Sequence, residues 1–159
     1  MPGNRGKREA PTIVLLLLLT LSIVGIDQYT KHLALRYLEA GATFPIIPDF
    51  FHLTLLYNTG IAFGLFRAHP TLLVALISVS LAFLVYLKYR LKQAHILVRV
   101  GLALIVGGAI GNWVDRLRYG AVVDFLDFRV WPIFNVADSA ITIGVCLYII
   151  LLWTGRVNR

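Results

Sequence analysis

Four long apolar stretches, each free of Asp, Glu, Lys and Arg, constrain the fold of this chain more than any other feature. They cover residues 10–26, 68–87, 100–114 and 139–155. A helix needs about 20 residues, within a range of about 17–25, to cross the hydrocarbon core of a bilayer. The first stretch meets this length if Pro11 begins its helix, and the third if Arg99 extends its charged head to an interface. The pattern predicts an all-α membrane protein with four transmembrane helices.

The composition supports the membrane class and excludes several others. The chain is 58% hydrophobic and 14% charged, whereas a soluble domain is about 25% charged. Its net charge of +7 does not indicate a nucleic-acid partner, because the basic residues flank the apolar stretches instead of forming one patch. The single cysteine, Cys146, lies inside an apolar stretch and cannot form an internal disulfide.

The first stretch could instead be a cleaved signal peptide. Basic residues precede this stretch, and its residues 13–24 form an apolar core. However, no small-x-small cleavage site follows, since Ile26, Asp27 and Gln28 occupy that position. We therefore expect an uncleaved first span.

The predicted boundaries define one domain over residues 1–159. The spans cover about 11–29, 68–88, 95–114 and 137–155, and the outer loops cover 39–67 and 115–136. If the N-terminus lies on the inner side of the membrane, most Lys and Arg residues lie in short inner segments. Glu9 is then the only acidic residue on that side. Because short cytoplasmic loops are rich in Lys and Arg, both termini are expected in the cytoplasm.

The first outer loop has the pattern of a β-hairpin. A β-rich and aromatic run at residues 50–57 is followed by the turn residues Asn58, Thr59 and Gly60, and then by a second apolar run at 61–63. Aromatic side chains suit the membrane interface. The sequence therefore predicts a small extracytoplasmic β-hairpin beside the four helices.

Polar residues from distant parts of the chain gather at the outer membrane face. They are Asp27, Asn58, Asn112, Asp115, Arg116, Asp124, Asn135 and Asp138. Asn112, Asp115 and Arg116 are spaced to lie on one helix face. Asn135 and Asp138 are likewise spaced to share a face. Gly107 and Gly111 form a G-x-x-x-G pattern, which allows another helix to approach closely.

Each of these features also has a structural interpretation. Asp27 and Lys31 are spaced as an ion pair within one helix, and Asp115 with Arg116 fits an interfacial ion pair. Asp124 and Asp138 are harder to explain in that way, because both lie among apolar residues where an acid is expected to be paired or functional. The spacing alone favours a shared functional site for these two acids.

The sequence motifs of several other enzyme classes are absent. None of the four serines lies in G-x-S-x-G, there is no H-E-x-x-H, and there is no phosphate-binding loop. A proton-coupled carrier is an alternative, although no charged residue lies in the middle of a span to complete a path. A non-enzymatic assembly protein is another, but it would explain Gly107 and Gly111 without explaining the polar residues.

Five short segments follow one another in a characteristic order, namely residues 27–31 (DQYTK), 58–64 (NTGIAFG), 107–116 (GGAIGNWVDR), 122–125 (VVDF) and 134–139 (FNVADS). Together they resemble the lipoprotein signal peptidase (signal peptidase II) family, and the resemblance covers essentially the whole chain after residue 10. The resemblance implies an aspartic endopeptidase of the bacterial inner membrane, with its active site at the periplasmic face. Its substrate would be a prolipoprotein, cleaved just before a cysteine that carries diacylglycerol.

The same resemblance implies roles for individual residues. Asp124 and Asp138 would be the catalytic pair, and Asp27, Lys31 and Asp115 would give structural support. The residues that position substrate and the pair would be Asn58, Gly108, Asn112, Arg116 and Asn135. The outer hairpin would form a cradle on the membrane surface. The resemblance implies that no metal or organic cofactor is used. We expect a monomer in contact with membrane lipid.

Overall fold

The computed structural model describes residues 5–59, 70–91 and 94–157. Within these ranges the chain forms helices α1 (Arg5–Tyr37), α2 (Pro70–Arg90), α3 (Ile96–Tyr119) and α4 (Val136–Trp153). It also forms strands β1 (Thr43–Ile47), β2 (Phe51–Asn58) and β3 (Val122–Asp127). Three described segments are long and apolar enough to cross a membrane, namely Pro11–Tyr37, Ile96–Tyr119 and Val136–Trp153, whereas the apolar part of α2, Val74–Leu87, is shorter.

Helix α3 lies at the centre of the bundle and packs against α1, α2 and α4. Glycines allow this packing, because a Cβ added to Gly107 would lie 3.0 Å from the Thr20 carbonyl oxygen of α1. A Cβ on Gly144 of α4 would lie 2.6 Å from the carbonyl oxygen of Gly101. The close approach that the G-x-x-x-G pattern predicted for Gly107 is therefore present, and α4 contributes a glycine of its own.

Helix α3 continues past the predicted end of its span. Its last turn contains Arg116 and Arg118, and Gly120 ends it in the left-handed conformation at φ 69°. The Gly120 N–H donates to the Arg116 carbonyl oxygen at 3.0 Å. The chain then turns directly into β3, which lies within the predicted outer loop and had not been expected as a strand.

The three strands form an antiparallel sheet in the order β1-β2-β3. Strand β2 matches the run predicted at residues 50–57, but its hairpin partner β1 precedes it in the chain. Asp49, at φ 60°, helps form the tight turn between them. The predicted second arm at residues 61–63 lies outside the described residues. The sequence did not predict β1, because Pro45 disfavours a strand, although an edge strand tolerates proline.

Candidate active site

Strand β3 carries Asp124 into the protein interior, where the side chain is 1% exposed. Two amide groups donate to its carboxylate. The Asn135 Nδ2 lies 2.7 Å from Oδ1, and the Asn58 Nδ2 lies 3.0 Å from Oδ2. Asn58 reaches Asp124 because it ends β2, the strand paired with β3. The sheet therefore brings together two residues that are far apart in the sequence.

Asp138 lies in the first turn of α4 and forms a capping box with Asn135. The Asp138 backbone N–H donates to the Asn135 Oδ1 at 2.9 Å, and the Asn135 backbone N–H donates to the Asp138 Oδ2 at 3.3 Å. The Asn112 Nδ2 of α3 donates to the other carboxylate oxygen at 2.7 Å. The cap fixes Asp138 at the helix N-terminus, where the helix dipole favours negative charge.

Asn135 connects the two carboxylates. Its side chain donates to Asp124 and its backbone N–H donates to Asp138, so both acids bind the same fully buried residue. The Asn135 Nδ2 also lies 3.1 Å from the Asn112 Oδ1. Asp124, Asn135, Asn112 and Asp138 thus form a continuous hydrogen-bonded cluster, which we call the aspartate cluster.

A buried ion triad supports this cluster from one side. The Lys31 Nζ lies 2.8 Å from a carboxylate oxygen of Asp27 and 2.8 Å from one of Asp115, and all three side chains are at most 2% exposed. Asp27 also accepts from the Ala137 N–H at 2.9 Å, and Asp115 accepts from the Val123 N–H at 3.1 Å. The triad therefore joins α1 and α3 to the starts of β3 and α4.

Lys31 also determines how the Asn112 amide is turned. Its Nζ donates to the Asn112 Oδ1 at 2.9 Å, on the same oxygen that accepts from Asn135. With the oxygen held there, the Asn112 NH₂ group faces Asp138. The Asp27–Lys31 pair that the sequence predicted is present.

The predicted partnership of Asp115 with Arg116 needs correction, because Asp115 pairs with Lys31 across helices. The Arg116 guanidinium instead donates to the Asn112 carbonyl oxygen at 3.2 Å. Sequence reasoning also gave no separate role to Gln28, whose Nε2 donates to the Asp115 Oδ1 at 2.8 Å. The position of Gln28 next to Asp27 was the available signal.

Gly108, another predicted site residue, lies in the contact between α3 and α4. A Cβ at this position would collide with the backbone carbonyl of Ala137 and with Ile141. Gly108 therefore lets the first turn of α4, which contains Asp138, approach α3 and Asn112.

Asp124 and Asp127 lie in the same strand but differ in acidity. Burial raises the pKa of Asp124 to about 7, and the nearby Asp138 charge adds to the shift, while hydrogen bonds from Asn58 and Asn135 oppose it. The pKa of Asp127 is lowered, because hydrogen bonds from Arg129 and Thr54 outweigh the effect of burial. Near neutral pH the aspartate cluster can therefore hold one proton on a pair of acids, as general acid–base catalysis requires.

Comparisons with known proteins agree on one family. Residues 19–154 match the family model described as signal peptidase (SPase) II. A lipoprotein signal peptidase of Moorella thermoacetica is 46% identical over 138 residues, which cover 86% of this chain and 89% of that protein. One of Halothermothrix orenii is 40% identical over 136 residues, covering 86% and 93%.

A solved structure has a similar fold. A structure described as a bacterial membrane enzyme, determined by the in meso method at 2.3 Å resolution, is similar to this chain with a TM-score of 0.81. It is 36% identical in sequence, and the match covers 89% of both chains.

Proposed function

The chain belongs to the signal peptidase II family and is a protease that removes signal peptides from lipoproteins; we propose that it does so as an aspartic endopeptidase whose catalytic pair is Asp124 and Asp138. The assignment to this family replaces the carrier and assembly-protein alternatives. The observation that carries the proposal is that both carboxylates bind Asn135.

The proposed mechanism divides acid and base roles between the two carboxylates. Asp138, at the N-terminus of α4, accepts a proton from a water molecule, which attacks the scissile carbonyl. Asp124, with its raised pKa, donates its proton to the carbonyl oxygen as the water oxygen bonds to the carbonyl carbon. When the tetrahedral intermediate collapses, Asp124 takes that proton back, the C–N bond breaks, and Asp138 passes the proton taken from water to the leaving nitrogen. Because the acids are coupled, their titration belongs to the pair. This chemistry needs no metal or organic cofactor.

The surrounding polar residues position substrate and the catalytic pair. We assign Asn58, Asn112 and Asn135 to holding the carboxylates, since each donates to at least one of them. The Arg116 guanidinium is a donor for the substrate backbone or for the negative charge that develops on the carbonyl oxygen. Gly108 acts through the close approach of α3 and α4, and Asp27, Lys31 and Asp115 give structural support.

The proposed substrate is a prolipoprotein with a diacylglyceryl cysteine, cleaved just before that cysteine. The enzyme is a monomer in the bacterial inner membrane, with four spans, cytoplasmic termini and an active site at the outer face. The acyl chains of the substrate then remain in lipid, while water reaches the aspartate cluster from outside. The sheet lies over the membrane surface as a cradle.

Cleavage of a diacylated prolipoprotein in detergent, by wild-type and substituted enzyme, tests the catalytic pair. Asp124→Asn and Asp138→Asn should each abolish cleavage, because neither amide can exchange the required proton. Asp127→Asn is a matched control in the same strand, since Asp127 binds Thr54 and Arg129 outside the cluster, and it should retain cleavage. Turnover by a folded Asp124→Asn or Asp138→Asn variant would refute the assignment.

A further inference from the structure

A second feature, separate from the aspartate cluster, is an apolar groove between α1 and α2 with α3 as its floor. Its volume is about 620 Å³. The lining residues include Leu17 and Leu21 of α1, Val85 and Tyr89 of α2, and Val106 and Ile110 of α3. Arg99 is the one charged side chain that lines it among the described residues, and it forms no ion pair with another described side chain.

The groove has the depth of one membrane leaflet. Its lining on α3 runs from Arg99 to Ile110, a rise of about 16 Å at 1.5 Å per residue. Half of a roughly 30 Å hydrocarbon core is about the same length. Arg99 lies near the first residue of α3, Ile96, whereas Asn112 and Asp115 lie towards the other end of that helix. The groove therefore belongs to the leaflet away from the aspartate cluster.

An apolar channel of this depth, with a cation at the end that meets the membrane surface, matches the chemistry of one lipid molecule. We propose that the groove binds an anionic phospholipid, with an acyl chain along Val106 and Ile110 and the phosphate on Arg99. A guanidinium binds phosphate oxygens in a bidentate geometry, and anionic lipids attract arginine near the membrane surface.

A substrate signal helix fits the groove less well, because that helix must end at the catalytic pair. Gly108 of α3 faces Ala137 of α4, and Asn112 binds Asp138 of the same helix. Val106 and Ile110 instead line the space between α1 and α2. The groove and the aspartate cluster thus open on different faces of α3.

Native mass spectrometry of the full chain, exchanged into micelles with equal phosphatidylglycerol and phosphatidylcholine, tests the proposal. Wild type should retain one phosphatidylglycerol in preference to phosphatidylcholine. Arg99→Gln should reduce this preference about fivefold, and Arg99→Lys should largely preserve it. Arg90→Gln is the matched control, because Arg90 lies over the Tyr86 ring and does not line the groove, and it should behave as wild type.

A second pair of variants tests the acyl chain site independently of charge. Leu17 and Leu18 are 51% and 55% exposed on the same helix, but only Leu17 lines the groove. Leu17→Trp should reduce retention of both lipids severalfold, and Leu18→Trp should not. Equal retention of the two lipids by wild type, unchanged preference in Arg99→Gln, or equal effects of the two Trp variants would overturn the proposal. If Arg99→Gln does not fold, the lipid preference of wild type and the comparison of Leu17→Trp with Leu18→Trp still test the proposal.

Discussion

At the scale of single residues, the proposed catalytic role of Asp124 leads to a specific dependence of cleavage on pH. The raised pKa of this acid, about 7, means that it keeps its proton at pH values where an ordinary aspartic acid has lost it. As the pH rises through about 7, that proton is lost and the pair becomes doubly ionised. Neither carboxyl group then carries the proton that the proposed mechanism needs to polarise the carbonyl oxygen.

The first prediction therefore concerns the alkaline limb of the pH profile. We expect kcat/KM to fall about tenfold per pH unit above pH 7, measured on a diacylated prolipoprotein in detergent. Asn58→Ala removes a hydrogen bond that favours the ionised form of Asp124, so it should move this limb to higher pH even if the rate falls. A limb that moves to lower pH would contradict the role of Asn58.

A second residue-scale prediction concerns Lys31. Lys31→Met leaves the carboxylates of Asp27 and Asp115 buried without their cation, a change that typically costs about 3–5 kcal/mol of folding free energy. We expect a large fall in the thermal unfolding midpoint. The double variant Lys31→Met, Asp115→Asn has one fewer unpaired charge, so its loss should be smaller than the sum of the two single losses. Additive losses would show that the triad is not coupled.

At the scale of secondary structure, the contact between α3 and α4 determines whether Asp138 reaches Asn112. Both helices present glycine at this contact, and they approach so closely that Gly144 of α4 meets the backbone of Gly101. The first turn of α4 is held in place by Gly108 and by the Asp27 carboxylate on the Ala137 N–H. The site is therefore supported along a whole helix interface.

Gly144→Ala tests this interface away from the aspartate cluster. The added Cβ would lie 2.6 Å from the Gly101 carbonyl oxygen and 2.7 Å from Ile105 Cγ1, and overpacking of this kind typically costs about 1–3 kcal/mol. Gly25→Ala is the control, because a Cβ there meets no heavy atom within 4 Å and gains helix propensity. We expect a lower thermal unfolding midpoint only for Gly144→Ala. Equal shifts would contradict a close α3–α4 contact.

At the scale of the whole molecule, the orientation in the membrane decides which side receives the substrate. The proposed orientation has four spans and two cytoplasmic termini, and the span formed by α2 has the shortest apolar part, Val74–Leu87. Reporter fusions at chosen positions test it. A fluorescent protein fused after residue 93 should fluoresce in the cytoplasm only if α2 crosses the bilayer, and one fused after residue 157 should also fluoresce.

Alkaline phosphatase fused after Trp131 supplies the opposite readout. This residue lies in the exposed loop between β3 and α4, on the side of the aspartate cluster, so the phosphatase should be active there. It should be inactive after residue 157. The reverse pattern would place the catalytic pair in the cytoplasm and would contradict the proposed route of the substrate.

The sequence by itself determined the membrane class, three of the long apolar helices, strand β2 and the family. These follow from local properties, since the length of an uncharged stretch, the alternation of a strand and the order of short motifs do not depend on distant contacts. The sequence also separated Asp124 and Asp138 from ordinary surface acids, because both stand among apolar neighbours.

Only the tertiary structure decided which polar groups meet. The spacing of Asp115 and Arg116 suggested a local ion pair. Because α1 and α3 approach closely, Asp115 instead forms an ion pair with Lys31. Asn135 binds both acids because β3 and α4 converge on it, and β1 pairs with β2 through a turn at Asp49. A buried polar group takes the partner that packing brings within hydrogen-bond distance, and packing depends on every helix at once.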